Sequence, residues 1–140
     1  MKKYPSKISY GLVIIILAII IGSAIPLVSP PIWPGLLINI MVLVFISHLL
    51  LNTYYVIDRN FLVVKSGFVV NKKIDINTII IVSETNSIIS APAASFDRLE
   101  IVYKQHNSIL ISPRDKTEFI DHIKRINPKI EIQYKSKKML

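Results

Sequence analysis

The chain has 140 residues, a net charge of +8 and 51% hydrophobic residues. This length allows one small domain, and the apolar fraction is too high for an ordinary soluble domain, which indicates membrane segments. Because the chain has no cysteine, disulfides, thiolate zinc sites and cysteine nucleophiles are excluded. The moderate positive charge suits lipid headgroups or an acidic protein, although a solvated basic face is equally consistent with it; no nucleic-acid partner is expected.

Two uncharged apolar segments fill the first third of the chain, at about residues 9–28 and 32–51. Each is long enough to cross the hydrocarbon core of a bilayer as a helix. A cleaved signal peptide is the alternative for the first segment, because Lys2 and Lys3 precede it and Gly22-Ser23-Ala24 offers small residues for cleavage. Cleavage there would leave only a few residues before the second segment. The sequence therefore predicts a transmembrane helical hairpin over residues 1–52.

The charges that flank these segments predict their orientation. The loop between them is uncharged, whereas basic residues precede the first segment and follow the second: Lys2, Lys3, Lys7, Arg59, Lys65, Lys72 and Lys73. Positive charge favours the cytoplasmic side, so both termini are expected there. Within the second segment, Asn39 and Ser47 are expected to bond to the other helix and His48 to reach the headgroups.

After residue 52 the pattern changes to short runs rich in β-branched and aromatic residues. TYYVID, FLVVKSG and FVVNKKI read as an antiparallel meander, and a buried strand follows at residues 79–85. Two more strands, at residues 98–104 and 108–112, come after a loop at residues 86–97. A helix is then predicted with Ser112 as N-cap, Pro113 in its first turn, Asp115 as a capping-box acid, and Asn127-Pro128 at its end.

The predicted fold is thus two transmembrane helices followed by a mainly β, PH-like domain at residues 53–133 and a basic tail at residues 134–140. In this domain a small, curved antiparallel sheet or barrel is closed by the C-terminal helix, whose apolar stripe faces inward. SAPAASFDRLEIVYK and ILISPRDKTEFIDHI resemble the YyaB-like bacterial PH domain family over roughly residues 54–132. The resemblance implies a PH-like fold fused to membrane helices in the bacterial inner membrane, and it implies no catalytic or binding residues.

The sequence offers no constellation for catalysis, so a non-enzymatic protein without metal or cofactor is predicted. His48, His106 and His122 lie in different elements and lack acids at ligand spacing. Three acids share one helix face: Asp115, Glu118 and Asp121. They are better explained as acids that stabilise the N-terminal end of the helix electrostatically than as a catalytic acid pair.

Two sets of residues are candidates for binding. Lys65, Lys72 and Lys73 could form an anionic-headgroup patch, although they also serve as topogenic charges. Arg98 with Ser90 and Ser95 could hold a carboxylate or phosphate of a ligand or partner, although these residues could equally stabilise their own loop.

The sequence favours a protein-interaction or scaffolding module at the cytoplasmic membrane surface. An anionic-lipid headgroup sensor is the alternative. A role in immunity or stress against membrane-active peptides rests only on small size and membrane anchoring.

Overall fold

The structure, a computed structural model, describes residues 1–85 and 97–135. Two apolar helices, α1 (Tyr10–Val28) and α2 (Trp33–Leu51), lie side by side and are long enough to cross a membrane. Neither helix has a buried residue, so each has an apolar surface that a bilayer could cover. The Ser23 hydroxyl lies 2.8 Å from Asn39 Oδ1, which confirms the predicted bond from Asn39 to the other helix.

The first strand lies before the helices. Strand β1 (Lys2–Pro5) pairs antiparallel with β2 (Thr53–Asp58), which follows α2 directly. The sequence assigned residues 1–52 to the helical hairpin, whereas in the structure residues 2–5 belong to the β domain. The hairpin of helices is therefore an insertion between two neighbouring strands of one sheet.

The β domain contains two four-stranded sheets. Sheet 1 has the order β1-β2-β3-β4, with β3 at Phe61–Ser66 and β4 at Val70–Asp75. A single 3-10 turn, Ile76–Thr78, leads into sheet 2. Its order is β7-β6-β5-β8, with β5 at Ile79–Thr85, β6 at Arg98–Tyr103, β7 at Asn107–Ile111 and β8 at Glu131–Gln133.

The sheets are antiparallel except at β8, which joins β5 in parallel after the helix and was not predicted. Within the described ranges the two sheets do not close into one barrel; an isolated bridge between Ser6 and Pro113 links β1 to the segment after β7. The predicted class, two apolar helices and a sheet-rich PH-like domain with a C-terminal helix, is confirmed.

The C-terminal helix α3 (Lys116–Ile126) begins later than predicted. Its N-cap is Asp115, whose carboxylate accepts the Glu118 N–H at 3.0 Å. Ser112 lies three residues before this cap; its hydroxyl donates to the Asp97 carbonyl at 2.8 Å, and Pro113 pairs with Ser6. The expectation that Ser112 caps the helix is therefore wrong; Ser112 and Pro113 attach β1 to the rest of the domain.

One hydrophobic core lies between the sheets and α3. The helix contributes Phe119, Ile120 and Ile123, as its apolar stripe predicts, while Ile126 is only partly buried. Both sheets bury alternate side chains, among them Tyr55, Leu62, Val64, Leu99 and Ile101, each fully buried. Tyr4 of β1 is 2% exposed, so the short first strand contributes to the same core.

Candidate functional site: the outer face of sheet 1

Sheet 1 has one core face and one outer face. Because side chains alternate along a strand, the neighbours of buried Tyr55, Leu62 and Val64 point away from the core. The strand register places four of these neighbours in one row across the sheet: Lys3, Val56, Val63 and Lys73. The next row, nearer the helices, is Pro5, Tyr54, Lys65 and Asn71.

The outer face has an apolar centre and a charged rim in which lysines predominate, with one acid on each side of Phe61. We define it by the residues Lys3, Tyr54, Val56, Asp58, Phe61, Val63, Lys65, Lys73 and Asp75. Its central valines are only half-buried, and Phe61 is 38% exposed. Lys3 Nζ lies 3.9 Å from the centroid of the Tyr54 ring, and Lys73 Nζ lies 4.1 Å from that of Phe61. The two ammonium groups thus lie over the faces of aromatic rings in cation–π geometry.

The predicted headgroup patch is divided between two faces. Lys65 and Lys73 lie on the outer face, whereas Lys72 is directly opposite the buried Val64 and therefore belongs to the core side. Lys72 Nζ lies 5.7 Å from the ring centroid of Tyr103. Since β4 ends the ladder of sheet 1, its exposed lysines also hinder pairing with the strand of another chain.

The second predicted set lies partly outside the described residues. Ser90 and Ser95 fall in the segment 86–96, which the structure does not describe. Arg98 starts β6, is only 5% exposed and interacts with other groups. Burial raises the pKa of Tyr55. The positive charge of Arg98 is one of the causes that oppose this increase. In this structure Arg98 is an interior residue rather than a surface contact.

An ion-pair cluster that was not predicted lies beside the start of α1. Lys116 Nζ lies 2.8 Å from Glu84 Oε1 and 2.7 Å from Asp97 Oδ1, and Lys7 Nζ lies 3.1 Å from Asp97 Oδ2. The hydrogen bond from Lys116 lowers the pKa of Glu84. Ile8 and Ser9 separate Lys7 from α1, so this cluster connects the segment that leads into α1 with α3. The partners are far apart in sequence, and no local pattern indicated them.

A small polar cleft of about 190 Å³ lies where β1 meets α3. Its lining residues are Lys2, Tyr4, Glu118, Asp121, His122 and Arg125. The Tyr4 hydroxyl lies 2.8 Å from His122 Nδ1, and Lys2 forms an ion pair with Glu118. Glu118, a candidate acid in the sequence, thus holds the first strand against the helix.

The contact between Tyr4 and His122 predicts a pH dependence of stability. Burial, followed by the charges of Lys2 and Arg125, lowers the pKa of His122 in spite of Glu118. Asp121 also lines the cleft. A lowered pKa in the folded state gives stability that is present above the unfolded value of about 6.5 and is lost as the pH falls below it. Protonation would also remove the Nδ1 acceptor that the Tyr4 hydroxyl needs.

We therefore expect the full chain in detergent micelles to melt at a lower temperature at about pH 5.5 than at about pH 7.5, because only the lower value protonates a histidine. In His122→Gln this difference should shrink, since glutamine does not titrate. Equal losses in the two proteins would contradict this assignment.

The architecture is that of a PH-like domain with a helical hairpin inserted between its first two strands. Within residues 1–85 and 97–135, no group of three His, Asp or Glu could hold a metal ion. The chain belongs to the bacterial PH domain family, whose model matches residues 53–127, just over half of its length. The match begins at β2 and ends directly after α3, so β1, both helices and β8 lie outside it. Searches of curated proteins and of solved structures find no match.

Proposed function

We propose that this protein is a non-enzymatic scaffold of the YyaB-like type, which holds a second protein at the cytoplasmic face of the bacterial inner membrane. The outer face of sheet 1 carries this proposal. Its half-buried valines and the exposed ring of Phe61 form an apolar centre, and three lysines with Asp58 and Asp75 form a charged rim around it, an arrangement typical of protein-protein interfaces. PH domains are in general binding modules, which agrees with this reading.

Membrane anchoring comes from α1 and α2. Each is 19 residues long, or about 28 Å at the rise of an α-helix, close to the thickness of the hydrocarbon core. Lys3 and Lys7 before the hairpin and Lys65 after it support a cytoplasmic position for both ends. Since β1 and β2 are neighbours, the hairpin returns to the sheet that it leaves.

The partner should be a protein whose apolar patch is bordered by carboxylates. Lys3 and Lys73 mark the two ends of one row, with Val56 and Val63 between them. Charge complementarity at such a rim steers association, while burial of the apolar centre provides most of the affinity.

An anionic-headgroup sensor is the second candidate, because Lys65 lies in the row next to the helices. Two observations favour the protein partner. Lys72 lies on the other face, so the three lysines do not converge on one headgroup, and a domain that is already anchored does not need headgroup affinity to reach the membrane.

The test is site-specific photo-crosslinking of the full chain in living cells. A photoreactive phenylalanine analogue replaces Val63 on the outer face, and the control carries it at Ser108, an exposed position on β7. We expect a discrete protein adduct from position 63 alone. Lys73→Glu should weaken this adduct, whereas Lys72→Glu, the adjacent lysine on the opposite face, should leave it unchanged.

Adducts with lipid alone at position 63 would favour the headgroup sensor. A protein adduct that falls equally with both charge reversals would contradict recognition by the outer face, because only Lys73 belongs to it.

A further inference from the structure

The turn between β3 and β4 is held against the end of α2. We call residues Gly67, Phe68 and Val69 the membrane turn. The Gly67 N–H donates to the Asn52 carbonyl at 3.1 Å, directly after the helix. On the preceding residue, the Ser66 hydroxyl lies 2.8 Å from Thr53 Oγ1, which in turn donates to the Leu49 carbonyl at 2.6 Å. These bonds join the turn to the last residues of α2.

The side chain of Phe68 extends this contact further back along α2. The Phe68 ring lies 5.8 Å from the ring of Phe45 and 5.6 Å from that of His48, measured between centroids. Gly67 has a φ of +53°, and a Cβ on it would lie 2.8 Å from Leu49 Cδ2. The left-handed backbone favours glycine at this position, and a Cβ there would displace the end of the Leu49 side chain.

The turn is apolar but is not part of the core. Phe68 is 74% exposed and Val69 is 58% exposed, although both belong to residue types that are usually buried. The segment from Ser66 to Asn71 carries no charge, and Lys65 and Lys72 stand on either side of it. An exposed aromatic residue between two flanking lysines is a composition that suits the boundary between hydrocarbon and headgroups.

The length of α2 determines the depth of the turn. A helix of 19 residues must be used almost entirely to cross the bilayer, which puts Leu51 near the inner edge of the hydrocarbon. Counting back along the helix, His48 then lies about 4.5 Å and Phe45 about 9 Å below that edge. A ring in contact with both residues lies below the headgroups.

We propose that the membrane turn inserts into the cytoplasmic leaflet as a third hydrophobic contact beside the two helices. This inference rests on the membrane anchoring proposed above and assigns the lipid bilayer, not a protein, as the occupant of the exposed Phe68 surface. The contact fixes the β domain in one orientation on the membrane, so that the outer face of sheet 1 is presented at a constant angle.

Tryptophan fluorescence tests the insertion. The chain has a single tryptophan, Trp33, so Trp33→Phe with Phe68→Trp places the only indole in the turn. The full chain is reconstituted into phosphatidylcholine vesicles with or without lipid brominated near the top of its acyl chains. We expect blue-shifted emission that brominated lipid quenches. The matched control, Phe61→Trp at the other end of β3, should emit as in solvent and resist quenching.

Solvent-like, unquenched emission from position 68 in protein that floats with the vesicles would overturn the inference while leaving the anchor intact. Blue-shifted emission without quenching would also overturn it, because the turn would then be covered by protein. If the chain does not float with the vesicles and brominated lipid does not quench Trp33 of the unmodified protein, both the membrane anchor and the insertion of the turn are refuted. A missing adduct at position 63 would refute the scaffold alone.

Discussion

Replacing Tyr4 with alanine is expected to lower the free energy of unfolding of the β domain by about 3–5 kcal/mol, the range for truncation of a buried aromatic residue. Tyr4 is 2% exposed, and its ring meets Phe119 edge to face with centroids 5.3 Å apart. The substitution would also leave His122 Nδ1 without its hydroxyl partner. A residue that precedes α1 thus stabilises a core made almost entirely of residues that follow α2.

Pulse proteolysis of the full chain in detergent micelles, over a series of urea concentrations, measures this loss, because protease cleaves only the unfolded domain. Tyr134→Ala is the control, since this tyrosine is 69% exposed and its removal should change stability by no more than about 0.5 kcal/mol. If both variants unfold at the same urea concentration, β1 is not part of the stable core.

Replacing residues 7–52 with Asn-Gly is expected to give a folded β domain that is soluble without detergent. The Ser6 N–H donates to the Thr53 carbonyl at 3.3 Å, so the two ends of the hairpin already stand opposite each other as in a β-hairpin. Asn-Gly forms the two-residue turn that such strands prefer. The helices contribute no residue to the core, and the loss of the exposed pair between Lys7 and Asp97 removes about 0–1 kcal/mol. The replacement also removes three hydrogen bonds, from the Lys7 N–H to Ser112, from the Gly67 N–H to Asn52 and from the Thr53 hydroxyl to Leu49, each worth about 1 kcal/mol.

Size-exclusion chromatography and the dispersion of an amide NMR spectrum would measure this outcome, with Phe68→Ser added to remove the exposed ring. The matched control is a chain that begins at Thr53, where the family match begins, and therefore lacks β1. It should aggregate, because the edge of β2 and the space left by Tyr4 are then exposed. A monomeric, well-dispersed control would contradict the role of β1.

The features that could be predicted from the sequence are those that depend on local pattern. The two apolar segments appear as α1 and α2 within one residue of the expected bounds, because length and hydropathy alone determine such helices. The β-branched and aromatic run TYYVID likewise predicted a strand, which the structure has as β2, with Tyr55 and Ile57 buried in the core. The stripe on α3 correctly indicated Phe119, Ile120 and Ile123.

The features that could not be predicted depend on contacts between distant residues. Strand β1 has only four residues, two of them lysines, and it exists because β2 offers an edge to it more than fifty residues later. Ser112 and Pro113 match the pattern of a helix start, but they make tertiary contacts with Asp97 and Ser6 instead, and α3 begins only at Lys116.

The candidate site was predictable only in part. Lys65 and Lys73 were indicated as a basic patch, but the separation of Lys72 from them depends on strand register, and Lys3 joins them only through β1. The membrane turn carried no signal beyond Gly67, because the depth of Phe68 follows from its contact with α2.

The position of β1 has a consequence for biosynthesis. This strand precedes both apolar segments in the chain and its partner β2 follows them, so sheet 1 can be completed only after both segments have been synthesised. A chain whose first residues were carried across the bilayer would have Tyr4 on one side and the remaining core on the other, and its domain would stay incomplete. With the proposed membrane anchoring, only molecules that keep both flanks of the hairpin on the same side of the bilayer would complete the core of the β domain.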